Sequence, residues 1–212
     1  MVPSYGPGDS LQTESPFRIA LPIVILLTTS IAIYFRRKAS SSGDKITYER
    51  EGLIYASFLR LAAVLLLLST TAYLLEPSIV SFANLPFWLT LRWIGVAVAF
   101  LGVFFMTWTL AALGKNLTDT VITRADSVLI THGPYRFVRH PYYTSTAMLI
   151  VSVFAMTANG LIGASGLIVW LLLAFRTPKE EQVLIERFGE RYLSYRRRTG
   201  MFVPSLRRTN RA

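Results

Sequence analysis

Three long, predominantly apolar blocks, Phe17 to Phe35, Leu53 to Leu75 and Trp93 to Leu113, leave this chain few folds to choose from. A hydrocarbon core is crossed by roughly 20 helical residues, and each block has about that length. Two shorter blocks, Tyr142 to Thr157 and Leu161 to Phe175, are separated only by Ala158, Asn159 and Gly160, a turn signal that suits a tight helical hairpin. These two either span as a short pair or dip into the bilayer and return. In both cases the chain comes back to the side it left. With 52% hydrophobic and only 16% charged residues among 212, the expectation is an all-α, polytopic membrane protein. It has about five transmembrane helices, three in residues 17–113 and a C-terminal hairpin over 142–175.

The basic residues orient these spans. With the N-terminus outside, the cytoplasmic segments 36–52, 114–141 and 176–212 hold five, four and ten of the twenty-two Lys and Arg. Only Arg18, Arg60 and Arg92 remain elsewhere, the asymmetry of a positive-inside protein. The net charge of +10 is therefore first a topological signal and secondly a sign of contact with anionic lipid headgroups. Nucleic acid is a poor third reading, because the charge flanks membrane spans. The first block follows a start without Lys or Arg and precedes Arg36, Arg37 and Lys38, the reverse of a cleaved signal peptide, so it reads as a retained span. Residues 1–16 and 205–212 read as loose tails, the second of them basic. The absence of cysteine excludes disulfides, thiolate metal sites and a cysteine nucleophile, and two histidines leave little for a metal. Arg60, two turns inside the second span, either snorkels or sits near a ligand's head group. Asn116-Leu117-Thr118 spells a glycosylation sequon on the cytoplasmic side, where it has no meaning.

Chemistry concentrates in two places. The stretch HGPYRFVRHPYY, His132 to Tyr143, holds both histidines, and the segment RTPKEEQVLIERFGERYLSYRRRTG begins at Arg176 directly after the hairpin. Thr177 with Glu180 has capping-box spacing and Pro178 suits a first turn, which predicts a cytoplasmic amphipathic helix over 177–198. Its apolar side is Leu184, Phe188, Tyr192 and Tyr195. Each residue taken alone has a structural explanation: Gly133-Pro134 a turn, Pro141 a helix start, the tyrosines interfacial aromatics, Glu180 and Glu181 helix-start electrostatics. The constellation has none, because the hairpin returns the loop's cations and aromatics to a helix start carrying Arg176, Glu180 and Glu181. Convergent polar groups of this kind are where ligands bind.

GPYRFVRHPYY, an apolar hairpin and RTPKEEQVLIERFGERYLSY together resemble the C-terminal half of the isoprenylcysteine carboxyl methyltransferase family, over about Ser127 to Pro204. The resemblance implies methyl transfer from S-adenosylmethionine, with S-adenosylhomocysteine as product, to a prenylated acceptor that enters from the bilayer. It implies that Ser127, Val128, Leu129, Ile130, Tyr135, His140, Pro141, Tyr142, Tyr143 and Glu180, with neighbouring Glu181, form the donor pocket, and that Arg176 faces the acceptor's carboxylate. Arg139 either orients the acceptor or braces the loop. Thr144 and Ser145 depart from the small Val-Gly pair common in the family, and Lys179 precedes the double Glu.

The residues agree with that chemistry. A sulfonium is an activated donor, so the protein needs only to align donor and nucleophile and exclude water. A carboxylate acceptor needs no base, whereas an amine or hydroxyl would have to give a proton to His140, Glu181 or a tyrosine. Three rivals stand beside this reading: an amino-headgroup phospholipid methyltransferase, an NADPH-dependent membrane lipid or sterol reductase, and a non-catalytic protein that binds lipid or a partner through its basic tail.

Overall fold

The computed structural model describes residues 7–40, 53–114 and 128–205. Among these, seven helices and no strand are found: α1 (Pro7–Ser40), α2 (Leu53–Leu75), α3 (Leu89–Leu113), α4 (Pro141–Thr157), α5 (Gly160–Phe175), α6 (Thr177–Phe188) and α7 (Glu190–Arg198). Stretches in α1, α2 and α3, and a fourth from Gly160 to Phe188, are long and apolar enough to cross a membrane. Ser127, the sequon at Asn116 and residues 206–212 lie outside the described residues.

Helix α4 has only 17 residues, yet the hairpin crosses the bundle. At its tip the Asn159 side chain donates to the Val80 carbonyl at 2.8 Å and to Asn84 Oδ1 at 2.9 Å. Leu85 N donates to the Ala158 carbonyl at 2.7 Å. Residues 76–88 link α2 to α3, so the tip reaches the far ends of both spans. The turn is built by Ala158 in the left-handed region (φ 48°) and by Asn159, whose side-chain oxygen caps α5 by accepting from Ile162 N at 3.2 Å.

Small residues set the packing. A Cβ on Gly95 of α3 would lie 2.8 Å from Ala155 Cβ, and one on Gly166 of α5 would lie 2.7 Å from Ile150 Cγ2. Backbones approach closely there, as they do in bilayers where packing rather than water drives association. Helix α4 is thus held between α3 and α5, and its first turn is carried to the hairpin base.

Two boundaries differ from the sequence reading. Helix α1 begins at Pro7, so part of the expected loose tail is helical, and α3 begins at Leu89, one turn before Trp93. Both follow from one ion pair. Arg92, buried, donates to both carboxylate oxygens of Glu14, at 2.7 Å for the Nη2 contact, and through Nε to the Met156 carbonyl at 2.9 Å. Tyr73 Oη donates to Glu14 Oε2 at 2.8 Å. An arginine that borders the apolar block in the sequence is neutralised inside a span, and its partner Glu14 ties α1 to α3. The buried apolar cluster of Phe17, Leu21, Val24, Tyr73, Val80, Ala99, Met156 and Ile162 lies at this same end. Toward the other end α1 loosens: no residue from Ile25 to Lys38 is buried. Arg60 is exposed on α2, as a snorkelling side chain would be.

Candidate active site

At the hairpin base the loop is seated first. Gly133 adopts φ 59°, a conformation that favours glycine, packs close to Trp108 and Ala112 of α3, and opens a short 3-10 turn to Arg136. Tyr195 Oη donates to the Tyr135 carbonyl at 2.6 Å. Pro141 is the first residue of α4, and the buried His140 precedes it without capping the helix by its side chain, which leaves the imidazole for other partners.

The chain enters α6 without a break in helical geometry. Arg176 has φ −75° and ψ −24°, so Thr177 is already helical and the expected capping box does not form, because a cap needs an extended residue at that point. Thr177 Oγ1 is buried with no hydrogen-bond partner. Glu180 instead accepts a hydrogen bond from Tyr143 Oη, and its Oε1 lies 3.8 Å from Arg176 Nε, one turn earlier.

The two adjacent glutamates point into different surroundings. Glu181 Oε1 accepts from Arg139 Nε at 2.7 Å and lies 3.3 Å from His140 Nε2, while Oε2 faces Arg196 Nε at 3.1 Å. The Nδ1 atom of His140 faces Glu180 Oε2 at 3.7 Å. His140 therefore stands between the carboxylates. Arg139 also donates to the carbonyls of Thr199 and Arg196, the latter at 3.2 Å, so of its two expected roles the geometry is that of a brace. Glu181 is buried beneath these cations and forms part of the same brace.

The expected helix over 177–198 is two helices, broken at Gly189 with φ 52° and ψ −130°. That backbone region is open to glycine and strained for other residues. The break turns Tyr192 and Tyr195 inward, where both are buried. Burial pushes the Tyr195 phenol up to about 12 and also raises Tyr192 and Tyr135, helped by Glu181 for Tyr192 and by Tyr195 and Glu180 for Tyr135. All three remain protonated donors at neutral pH.

One part of the site, at the end of the stretch Ser127 to Pro204, has no role assigned to it in the sequence reading. After α7 the segment Thr199–Val203 returns along the loop, with Val138 and Gly200 in a parallel bridge. Arg139 N and His140 N donate to the carbonyls of Gly200 and Met201 at 2.8 and 3.0 Å. Thr144 Oγ1 donates to the Phe202 carbonyl at 2.7 Å. The Phe202 ring packs on His140 (6.0 Å between centroids), Tyr143 (6.3 Å) and Trp170 (5.5 Å), and Trp170 Nε1 donates to the Tyr143 carbonyl at 3.0 Å. The available signal was the apolar Met-Phe-Val directly after a basic, solvated run.

The expected site residues thus fall into two groups. Val128 and Leu129 line an open cleft of about 1160 Å³ between the loop and α7, together with Thr131, Arg136, Tyr195 and Thr199. His140, Tyr143, Arg176 and Glu180 form the polar cluster, with Pro141 buried beneath it and the Tyr142 ring edge-on to Tyr143 at 6.1 Å. Tyr195 and Thr199 connect the two, through the Tyr135 carbonyl and through Arg139. Ile130 is half-buried beside the cleft residues in sequence.

Residues 93–186 match the model of the isoprenylcysteine carboxyl methyltransferase family. Protein-S-isoprenylcysteine O-methyltransferases A and B of Arabidopsis thaliana are 30% and 29% identical over 145 residues, 67% of this chain and 73% of each of theirs. Methanethiol S-methyltransferase of Pseudomonas deceptionensis is 39% identical over 74 residues, 35% of this chain and 28% of that protein. The fold is similar to that of the eukaryotic intramembrane Ras methyltransferase ICMT, with a TM-score of 0.56 at 21% identity, covering 87% of this chain and 67% of that one.

Proposed function

The chain belongs to the isoprenylcysteine carboxyl methyltransferase family, and from that premise we propose that it methylates the carboxylate of a prenylated cysteine held in the bilayer, with S-adenosylmethionine as donor. The observation that carries this reading is the pairing of Arg176 and Glu180 on one face of α6, beside Tyr143 and His140.

The residues present suit such a donor. A sulfonium is attracted by a carboxylate and by aromatic faces, and Glu180 meets Tyr143 and His140, whose rings stack on each other and pack on Phe202. The buried Thr177 hydroxyl, next to Arg176, is a donor that a bound molecule can satisfy. When bound, the group supplies a methyl already activated on sulfur. Val128 to Ile130, Tyr135 and the α4 start hold it; Ser127 belongs to the same run. Arg176 takes the acceptor carboxylate by charge-assisted hydrogen bonds and aligns it, and an ionised carboxylate needs no base.

An amine acceptor would need one, and the cluster has none idle: Glu181 is engaged by Arg139, Arg196 and His140, and Glu180 accepts from Tyr143. That weighs against the phospholipid alternative. For the reductase, no dinucleotide-binding βαβ unit occurs among the described residues. The charge distribution puts the N-terminus outside and the site on the cytoplasmic side, with the basic end of α7 against anionic headgroups. The acceptor's apolar tail arrives sideways from the bilayer at the site end, where α1 is loosely packed.

Titration of the detergent-purified protein with S-adenosylhomocysteine, with NADPH in parallel, and turnover of a farnesylated cysteine test this. Glu180→Ala is expected to weaken S-adenosylhomocysteine at least about tenfold, and Arg176→Ala to keep that affinity within about threefold while losing turnover about a hundredfold. Full activity in both variants, or binding of NADPH alone, sinks the reading.

A further inference from the structure

We infer that the C-terminal strap, Thr199–Val203, is a positioning element of the methyl-donor half of the site, and that Phe202 is the residue through which it acts. The inference rests on assigning His140, Tyr143 and Glu180 to the donor.

Three observations support it. The strap is hydrogen-bonded to the loop at the residues that need orienting, since the backbone N–H groups of Arg139 and His140 both donate to it. Those two bonds fix the backbone from which the imidazole projects between Glu180 and Glu181. Second, Phe202 is wedged among His140, Tyr143 and Trp170, so its ring limits the rotamers of the two side chains that hold Glu180. Third, a side chain of α4 latches the strap: Thr144 Oγ1 donates to the Phe202 carbonyl at 2.7 Å.

A carboxylate presented by a phenol and an imidazole is only as well placed as those rings. Losing the wedge frees Tyr143 and His140, while Arg176, which faces Glu180 Oε1 from one turn earlier in the chain, makes no ring contact with Phe202 and keeps its backbone position. The donor is therefore bound less tightly, and the acceptor step, once both substrates are in place, changes little.

The test uses the full chain in nanodiscs as wild type, Phe202→Ala, Phe202→Tyr, Thr144→Val and Glu180→Ala. The readouts are S-adenosylhomocysteine affinity, donor KM and kcat with a farnesylated cysteine, and thermal unfolding. Phe202→Ala is expected to weaken the ligand and raise donor KM by about tenfold with kcat within about threefold, Phe202→Tyr to restore both, and Thr144→Val to weaken binding about threefold. A merely structural strap would lower the active fraction and kcat without moving affinity, and that result overturns the inference. If Phe202→Ala does not fold, Thr144→Val decides by the same split. Wild-type binding that Glu180→Ala weakens but neither strap variant does removes the strap's role and leaves the functional reading standing. A wild type that binds no S-adenosylhomocysteine removes both.

Discussion

Gly189 and Gly200 are both required to be glycine, for different reasons that mutation separates. Nothing lies within 4 Å of where a Gly189 Cβ would be, so the requirement is the backbone conformation alone. Gly189→Ala is expected to cost about 1–2 kcal/mol of stability with donor affinity nearly unchanged, read by thermal unfolding against calorimetry. A Cβ on Gly200 would stand 1.8 Å from the Val203 carbonyl oxygen, which is backbone and cannot rotate away. Gly200→Ala must therefore lift the strap from the loop, and its effect should appear as weakened S-adenosylhomocysteine binding, about tenfold, more than as lost stability. Unchanged affinity in Gly200→Ala would show that the strap can move without consequence. The same contrast explains what was legible in the sequence at this scale. His140, Arg176 and Glu180 could be brought together because a short hairpin forces its two ends onto one face. Phe202 could not, since its pairing with Thr144 spans 58 residues and follows no local period. Arg139 has two readings in the sequence, orienting the acceptor or bracing the loop, because its contacts depend on where Glu181, Arg196 and Thr199 lie in space.

Among the elements, the hairpin α4–α5 is the one on which the site depends most, because it carries Tyr143 at one end of α4 and Arg176 at the end of α5. Its length and turn were readable from two apolar blocks and Ala-Asn-Gly. Its depth was not, because that is fixed by Asn159 meeting the α2–α3 link. Asn159 is fully buried and uses its oxygen on Ile162 N and its nitrogen on Val80 and Asn84. Asn159→Ala removes a helix cap and leaves the Val80 carbonyl without that donor, for an expected loss of about 2–3 kcal/mol. Asn159→Asp keeps the cap but sets a buried carboxylate oxygen against the Val80 carbonyl, so it should cost at least as much as Asn159→Ala. If Asn159→Ala unfolds at the wild-type temperature, the tip contacts are incidental and the hairpin is held by its small-residue packing alone. The amphipathic helix was predicted as one piece because its apolar residues keep helical spacing across Gly189. Glycine within such a pattern is compatible with a continuing helix, and only the burial of Tyr192 and Tyr195 against the loop decides for a break.

At the scale of the whole molecule the protein is asymmetric from end to end. Its buried apolar cluster and the Arg92 ion pair lie at the end away from the site, while the end carrying the site is organised by hydrogen bonds and ion pairs around a loop. Such a division suits the proposed sideways entry of an acceptor's apolar tail, which requires the spans to stay in register while one end is loosely packed. The clasp joins four elements: Glu14 of α1, Tyr73 of α2, Arg92 of α3 and the Met156 carbonyl of α4. Arg92 also lies over the Phe17 ring, 4.1 Å from its centroid, and Arg18 donates to the Leu74 carbonyl at 2.5 Å. Removing one partner of a buried pair costs about 3–5 kcal/mol, but Glu14 is more than one-third exposed and can recover water, so Arg92→Met is expected to cost about 2 kcal/mol. Glu14→Gln should cost less, and the double variant less than the sum, since one interaction is being removed twice. Because the clasp shares no partner with His140, Glu180 or Glu181, the donor affinity of folded Arg92→Met should stay within about twofold of wild type. Calorimetry below the unfolding temperature measures that directly. An affinity loss that tracked the stability loss across the three variants would mean that the two ends form one cooperative unit, and that the loosely packed segment of α1 transmits strain between them.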